Sequence, residues 1–469
     1  MNWRTLLRSF KSRDMRNRIL AVLGIIIVYR FMAHIPVPLA QPTQLKQAMN
    51  QVLTQNAFGG FLNLLSGGAL VSMAIMLVGL SPYITASVVM QMLTKAIPRM
   101  EEMSQDGESG RRRINQWTRL LAFPLAILQS IAYIMILRSN LLSGTSVASN
   151  MTSTQWLLSV SAMTAGSMIA MWMGEIITEK GIGNGITLMI VVGILSQLPQ
   201  TLGTIWKAMT TVSGKPFHVF NWFQINGLNH MVTWTVIILA IVSLLILYAL
   251  VKVNEGQRII NVNYAKRVHG NSQYGGVTSI IPIKLITAGV IPVIFAVAFL
   301  ALPAFAGQLM VATKWHSDLG RNLILWFQRG SATSGAVTGW AALIYPVSYF
   351  LLVIIFTYFY TSIVFNSREI ADSLQKQGGF IEQIRPGKQT EKYLKHVVNR
   401  LTLFGSIALG LIAVMPFVAE YILSDFGMGA MASSMSIGGT GLIIIVTGAL
   451  DCIRQLNSRA LMVSYDEYK

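Results

Sequence analysis

Two glycine-containing stretches have spacings that approach those of phosphate-binding motifs, but each lacks a required residue. The stretch RPGKQT (385–390) ends like a phosphate-binding loop, whose backbone N–H groups hold phosphates, but Glu382 stands where the first glycine is needed. The stretch GIGNGI (181–186) approaches a dinucleotide fingerprint, but Ile186 replaces a glycine, and the stretch does not follow a strand. Neither stretch predicts a nucleotide site.

Metal-binding and nucleophilic residues are also not arranged for catalysis. No two histidines stand at metal-ligand spacing, and no G-x-S-x-G motif is present. Cys452 is the single cysteine, which excludes a disulfide within the chain. The sequence therefore predicts no catalytic residue, no metal and no cofactor. The six histidines are His34, His218, His230, His269, His316 and His396.

Ionisable groups in the apolar runs are rare and lie in or near helix ends. They are Arg30, Glu175, Glu420 and Asp451, and at such positions they can snorkel or pair. A proton-coupled transporter usually needs a carboxylate or histidine near the membrane midplane, and this chain offers no obvious one. The sequence therefore favours a solute transporter less, without excluding it.

The composition is that of a polytopic membrane protein. Of 469 residues, 53% are hydrophobic and only 12% are charged, whereas a soluble domain carries about 25% charged residues. The net charge of +18 would suggest a nucleic-acid partner in a soluble protein. Here the basic residues lie between long apolar runs, so they are interpreted first as topology signals.

The apolar runs predict ten membrane-spanning helices and an all-α fold. A span needs about 20 apolar residues, and backbone polar groups in lipid must be satisfied within the segment. The predicted spans are 19–35, 72–94, 118–138, 155–177, 184–200, 231–252, 286–306, 340–365, 400–423 and 437–455.

Strongly and weakly basic loops alternate along the chain, which places both termini in the cytoplasm. Five spans precede residue 205 and five follow it, so residues 1–205 and 206–469 would form two oppositely oriented halves, an arrangement that allows an inverted repeat. The longest basic loops, 253–284 and 366–399, are predicted to stand out into the cytosol.

A short apolar segment at about 57–68, just before the second span, is bounded by glycines. Ten helical residues reach about 15 Å, half a bilayer, so such a helix must be buried in protein or fill a cavity. Glycine hinges would let it fold into a pore, stop it and swing out; a re-entrant or interfacial turn is the alternative. The segment consists of Phe58, Gly59, Gly60, Phe61, Leu62, Asn63, Leu64, Leu65, Ser66, Gly67 and Gly68.

Seven stretches in order resemble the SecY family, the pore subunit of the bacterial Sec protein-conducting channel. They are FLNLLSGGAL…GLSPYITASVVMQMLT, GESGRRRINQWTR, MWMGEIITEKGIGNGI, GQRIINVNYAKR, AGVIPVIF, IRPGKQTEKYLKHVVNRLT and IGGTGLIIIV. The resemblance implies two pseudo-symmetric five-helix halves around an hourglass pore, with the short segment as its plug. It also implies a constriction lined by apolar side chains, at Leu80, Ile84, Ile190, Ile294 and Ile444.

The resemblance further implies a lateral gate between the second and seventh spans, through which apolar segments leave for lipid. Family members often carry Asn where this chain has Ile286. The neighbouring Thr287 and the third-span Gln129 are candidates to replace part of that polarity.

Cytosolic basic residues are implied to dock partners. Arg385, which Pro386 keeps out of a helix, matches the family's contact for the motor ATPase SecA or the ribosome, and Arg258, Lys266 and Arg267 match further contacts. Bacterial relatives often add a basic pair where this chain has Asn271 and Ser272, which predicts weaker contact with ribosomal RNA. Other implied partners are SecE-like and SecG-like small membrane subunits, signal sequences, unfolded polypeptides and anionic lipids.

The sequence thus favours a protein-conducting channel in the bacterial cytoplasmic membrane that translocates unfolded polypeptides and releases membrane segments sideways. Two alternatives stay open. One is a secondary solute transporter with inverted repeats, which would need polar ligands at the midplane. The other is an assembly or insertase factor without a conducting pore.

Overall fold

The structure is a computed structural model of the chain. It describes residues 13–37, 73–140, 153–181, 183–210, 216–219, 223–264, 267–269, 272–274, 278–287, 289, 291–313, 316–327, 341, 343–425 and 429–466. The candidate plug, 58–68, lies outside these residues and stays a prediction.

Helices dominate the described residues. In chain order they are α1 (Arg13–Met32), α2 (Ser81–Ala96), α3 (Pro98–Gln105), α4 (Gly107–Asn140), α5 (Ser153–Lys180), α6 (Gly185–Leu195), α7 (Leu198–Thr210), α8 (His230–Glu255), α9 (Ile291–Ala312), α10 (Ser317–Phe327), α11 (Ile344–Val364), α12 (Ser367–Lys376), α13 (Lys388–Asp425) and α14 (Gly429–Asp466).

Within the ranges that the structure describes, seven short strands lie in the connections between helices. They are β1 (Pro216–Val219), β2 (Phe223–Asn229), β3 (Gln257–Tyr264), β4 (Arg267–His269), β5 (Ser272–Tyr274), β6 (Thr278–Lys284) and β7 (Gly379–Ile381). All pairings are antiparallel and form a β1–β2 hairpin, a β4–β5 hairpin and a three-stranded sheet in the order β6–β3–β7. The long basic loops therefore contain folded structure that the sequence analysis did not predict.

The protein is a helical, polytopic membrane protein. Within the described ranges, six helices are long and apolar enough to cross a membrane, namely α4, α5, α8, α9, α11 and α13, and α6 is a shorter apolar helix. The count of ten spans stays a prediction.

The predicted second span, 72–94, is wrong over its first residues, because helix α2 begins only at Ser81. Residues before it pair with an extended segment instead: Val37 N–H donates to Met73 O at 2.8 Å, and Ile75 N–H donates to Ile35 O at 3.0 Å. Gly79 has φ of +55°, outside the helical region, and ends this non-helical stretch.

The predicted fifth span, 184–200, is also shorter in the structure. Helix α6 ends at Leu195, where the Ser196 hydroxyl donates to Gly193 O at 2.6 Å. Pro199 has no N–H to continue the helix, and its ring would clash with the preceding turn. A separate helix, α7, therefore begins at Leu198.

The chain divides into two compact units. The first comprises Met1–Ala240, Val297–Tyr345 and Phe417–Lys469, and the second comprises Ile241–Ala296 and Pro346–Pro416. The division of the sequence into two oppositely oriented halves stays a prediction.

In the first unit, α4 packs on α2 and α5, α5 packs on α1 and α6, and α6 packs on α14. An apolar cluster in this unit joins the segment before α2 to α4 and α5. The cluster consists of Val37, Met73, Leu77, Val78, Tyr133, Ile134, Val160 and Met163.

In the second unit, the three-stranded sheet covers α12 and the first turns of α13. The inward side chains of the sheet alternate with exposed ones, as expected for a sheet with one buried face. The apolar cluster beneath it consists of Ile260, Val262, Ile283, Leu374, Ile381, Leu394, Val397 and Val398.

Candidate functional site

The first two residues predicted to line a constriction lie at the start of α2. Leu80 is the N-cap residue, and its carbonyl accepts the first helical hydrogen bond from Ile84 N–H at 3.0 Å. The preceding carbonyl, of Gly79, accepts a 2.8 Å hydrogen bond from the Ser167 hydroxyl on α5. Ser167 thus anchors the start of α2 to the neighbouring helix.

The next residue of the set, Ile190, lies in the middle of α6. The Asn184 side chain caps this helix by accepting hydrogen bonds from Ile186 N–H at 3.1 Å and Thr187 N–H at 3.3 Å. Gly185 approaches the carbonyl of Gly174 on α5 so closely that a Cβ would not fit. The α5–α6 connection therefore fixes where α6 begins.

Helices α6 and α14 meet at a glycine. A Cβ on Gly448 would lie 2.8 Å from Val191 Cγ2 and 3.2 Å from Thr187 Cγ2. Ile190 precedes Val191 in α6, and Ile444 lies one turn before Gly448 in α14. The structure thus places Ile190 and Ile444 on two helices in close contact, each within about a turn of the contact point.

The fifth residue, Ile294, belongs to the second unit and lies in the first turn of α9. The ring of Phe295 makes edge-to-face contacts with Phe356 and Tyr360 of α11, with centroids 6.1 and 6.4 Å apart. Aromatic pairs in this geometry are favourable, so they stabilise the packing of the start of α9 against α11.

All five predicted constriction residues are buried, with at most 8% of each exposed. Four of them, Leu80, Ile84, Ile190 and Ile444, lie in the first unit on elements that are joined through α5 and α6. Branched aliphatic side chains offer apolar contact without directional demands, so such a surface can contact any polypeptide and resists hydration.

The predicted gate residues of the second unit precede α9 rather than lying within it, because α9 begins at Ile291. Ile286 is buried, and the Thr287 hydroxyl donates to the Thr361 hydroxyl of α11 at 3.1 Å. The structure therefore shows the Thr287 hydroxyl in a hydrogen bond within the second unit.

Gln129, the gate candidate of the first unit, lies on α4. Its Oε1 is buried and accepts no hydrogen bond among the described residues. A buried amide oxygen without a donor costs free energy, so Gln129 is a polar group held in an apolar setting.

The predicted docking residues lie on the folded loops of the second unit. Arg258 is exposed on β3, opposite Ile283 of β6. Arg267 begins β4, and Ser272 begins β5. Lys266 and Asn271 lie outside the described residues.

Arg385 is exposed in a turn between β7 and α13. Its carbonyl accepts a 2.9 Å hydrogen bond from the hydroxyl of Thr390, which is buried in the first turn of α13. Pro386 and Gly387, with φ of +95°, complete the turn before the helix begins at Lys388. The backbone of Arg385 is therefore fixed while its guanidinium faces solvent.

Glu175 could be recognised from the sequence, but its partner could not. Arg119 Nε of α4 lies 2.7 Å from Glu175 Oε1 of α5, and the Glu175 side chain is only 14% exposed. The two residues are 56 positions apart, so no spacing rule connects them. Ser167 was missed for the same reason, since its bond to Gly79 spans 88 positions.

Comparisons with known proteins agree on the family. The SecY family model matches residues 74–453. The protein translocase subunit SecY of Streptomyces coelicolor is 37% identical over 467 residues, which cover 98% of each chain.

Solved structures share the fold. A protein-conducting channel matches with a TM-score of 0.62 and 18% identity, over 93% of this chain and 91% of that one. Sec61 in the canine ribosome-channel complex from the endoplasmic reticulum matches with a TM-score of 0.58 and 18% identity over the same shares. With the family model and the full-length relative, these findings show that the chain belongs to the SecY family.

Proposed function

We propose that this chain is the pore subunit of a protein-conducting channel, which moves unfolded polypeptides across the membrane and releases apolar segments into it. The observation that carries the proposal is the relationship to a protein translocase subunit along 98% of the chain. The five buried aliphatic residues at the matched constriction positions support it.

The constriction we propose is a collar of Leu80, Ile84, Ile190, Ile294 and Ile444. A substrate of any sequence must pass, so hydrogen-bonding groups would hold some sequences and reject others. Aliphatic side chains avoid that discrimination, and when they close on one another they form a dry barrier to ions. The glycine-bounded segment 58–68 would close the same pore from the non-cytoplasmic side.

Sideways release would use the helices of the second and seventh spans, α2 and α9. A signal sequence carries an apolar run that gains free energy on moving from water to lipid, so an opening between helices would sort substrates by hydrophobicity. Ile286 and Gln129 would set the closing energy of this gate.

Energy and targeting would come from partners at the folded cytosolic loops. Exposed Arg385 and Arg258, with Lys266 and Arg267, are suited to the acidic groups of a motor ATPase such as SecA or to ribosomal RNA. The likeness to Sec61 in a ribosome-channel complex supports the second partner. SecE-like and SecG-like subunits and anionic lipids would complete the assembly.

The proposed location is the bacterial cytoplasmic membrane, with both termini in the cytoplasm. The alternation of strongly and weakly basic loops supports this orientation. The chain itself would carry out no chemical reaction, because the driving energy would come from the partner's nucleotide hydrolysis.

Reconstitution tests the proposal. The full chain, purified with its co-purifying subunits and placed in vesicles with SecA and ATP, should make a signal-bearing unfolded precursor inaccessible to external protease. A precursor lacking the signal sequence is the control. Failure to protect the precursor in vesicles that contain all subunits would count against a channel. The solute-transporter alternative is not favoured by the relatives.

A further inference from the structure

Two short helices outside the proposed pore and docking surfaces expose apolar residues. Helix α7 follows α6 after two residues, and helix α10 follows α9 after a short connection. Both lie in the first unit. Neither belongs to the six helices of the described ranges that are long and apolar enough to cross a membrane.

The apolar residues of α7 form one continuous stripe. Leu198, Leu202 and Trp206 recur every four residues, and Ile205 and Met209 fall on the same side of the helix at 100° per residue. The three members of the four-residue series are 41%, 63% and 64% exposed. An amphipathic helix of a globular protein would bury this stripe, but here Leu198, Leu202 and Trp206 are exposed, and Ile205 and Met209 are half-buried.

Helix α10 also exposes large apolar side chains. Its Gly320 packs against the backbone of α9, since a Cβ there would lie 2.8 Å from Gly307 O. That contact orients the helix and leaves Leu319 and Trp326, seven residues apart, exposed by 57% and 41%. Arg321 lies on the opposite side of the helix from Leu319, whereas Asn322 lies beside Trp326.

The chain connectivity places α7 and α10 on the same side of the membrane. Between them lie α8 and α9, which both qualify as spans, so the chain crosses twice and returns. The distribution of basic loops predicts that this is the non-cytoplasmic side. Helix α7 starts just after the short apolar helix α6, and α10 starts just after α9, which is apolar and long enough to span.

We infer that α7 and α10 are interfacial anchors, whose exposed apolar stripes lie in the headgroup–acyl boundary of one leaflet. Leu195, the last residue of the apolar helix α6, is also exposed, by 42%, so exposed apolar residues run along the chain from α6 into α7, which supports lipid as the occupant. Tryptophan and leucine over a polar face are typical of helices that lie in the interface plane, and tryptophan is enriched at that depth. Such anchors would hold the first unit at a fixed depth and tilt.

Depth-dependent fluorescence quenching tests the inference on the full chain. The single native cysteine is removed by Cys452→Ser, and an NBD label is attached to a new cysteine introduced by Leu202→Cys. The matched control is Gly203→Cys, at the next residue but off the stripe, where a side chain would meet no atom within 4 Å. Vesicles of phosphatidylethanolamine and phosphatidylglycerol carry the doxyl quencher either near the headgroup or near the chain end.

The label at position 202 should be quenched about threefold more strongly than the label at 203 by headgroup-proximal doxyl lipid, and aqueous iodide should show the opposite order. A second pair, Leu319→Cys and Arg321→Cys, should behave in the same way on α10, because Arg321 is exposed on the opposite side of the helix. The inference is overturned if iodide reaches 202 as readily as 203. It is also overturned if lipid quenchers do not reach 202, as when another protein covers the stripe, or if the chain-end quencher is the more effective.

Discussion

The Ser167 hydroxyl of α5 donates a 2.8 Å hydrogen bond to the carbonyl of Gly79, the residue before Leu80. Both partners are buried, and Gly79 lies where the chain changes from a stretch of turns and bends into α2. This bond connects α5 to the start of α2, where Leu80 and Ile84, two of the five proposed collar residues, are located.

Removing that hydroxyl should destabilise the protein. In Ser167→Ala, the Gly79 carbonyl loses its buried donor, which we expect to cost about 1–3 kcal/mol of unfolding free energy. The matched control is Ser161→Ala on the same helix, whose exposed hydroxyl bonds only to Leu158 O in its own turn. Thermal unfolding in detergent should show a lower midpoint for the first variant only; equal midpoints would refute the anchoring role.

The neighbouring Gly166 should not tolerate a methyl group. A Cβ there would overlap the carbonyl of Ile75, which is backbone and cannot move aside cheaply. We expect Gly166→Ala to lose about 2 kcal/mol or more. Gly24→Ala, in a helix with no atom within 4 Å of the new Cβ, should be neutral or slightly stabilising. Comparable losses in both variants would show that glycine is needed in these helices for another reason.

The Arg119–Glu175 pair should show strong coupling in a double-mutant cycle. Glu175 is only 14% exposed, so Arg119→Met leaves a nearly buried carboxylate without its partner and should lower the free energy of unfolding. We expect a loss of only about 1–2 kcal/mol, because Arg119 is 45% exposed and solvent screens the pair. Adding Glu175→Gln should recover part of that loss. The cycle is measured by thermal or denaturant unfolding, and additive losses would mean that the 2.7 Å contact contributes nothing.

Reversing the charge at Arg385 should impair partner binding and leave the fold intact. Its guanidinium is exposed, and the turn is held by the Thr390 bond to the Arg385 carbonyl, which the substitution does not touch. We expect Arg385→Glu to weaken SecA or ribosome binding about tenfold, or about 1.4 kcal/mol.

The control for that experiment is Arg368→Glu, which reverses an exposed charge on α12 of the same unit. Binding is measured on the purified complex in vesicles, beside the thermal midpoint of each variant. If both variants bind equally well, Arg385 has no specific docking role, and its charge serves membrane topology alone.

Long apolar helices such as α4, α5 and α13 could be predicted from hydropathy, because a span in lipid needs an unbroken apolar run. The late start of α2 could not be predicted in this way, because residues 73–80 are as apolar as a membrane-spanning helix. Their conformation depends on hydrogen bonds to Ile35 and Val37, which lie far back in the chain.

The strands in the loops of the second unit follow a sequence pattern that hydropathy alone does not detect. In β3, the buried Ile260 and Val262 alternate with exposed or half-buried asparagines, a period typical of a strand with one covered face. The N-terminal turns of α13, with Leu394, Val397 and Val398, provide that cover. The collar positions came from the family resemblance, because an aliphatic residue inside a span looks the same in sequence whether it meets lipid, core or pore.

The central claim is that the five aliphatic residues surround the path of a translocating polypeptide. A photocrosslinking amino acid is placed singly at positions 80, 84, 190, 294 and 444, and at Leu244, an exposed apolar position on α8, as the control. A precursor is arrested midway through the reconstituted channel. The proposal predicts crosslinks to the arrested chain from each of the five positions and none from 244; crosslinks that are absent from the five, or equal at 244, would contradict it.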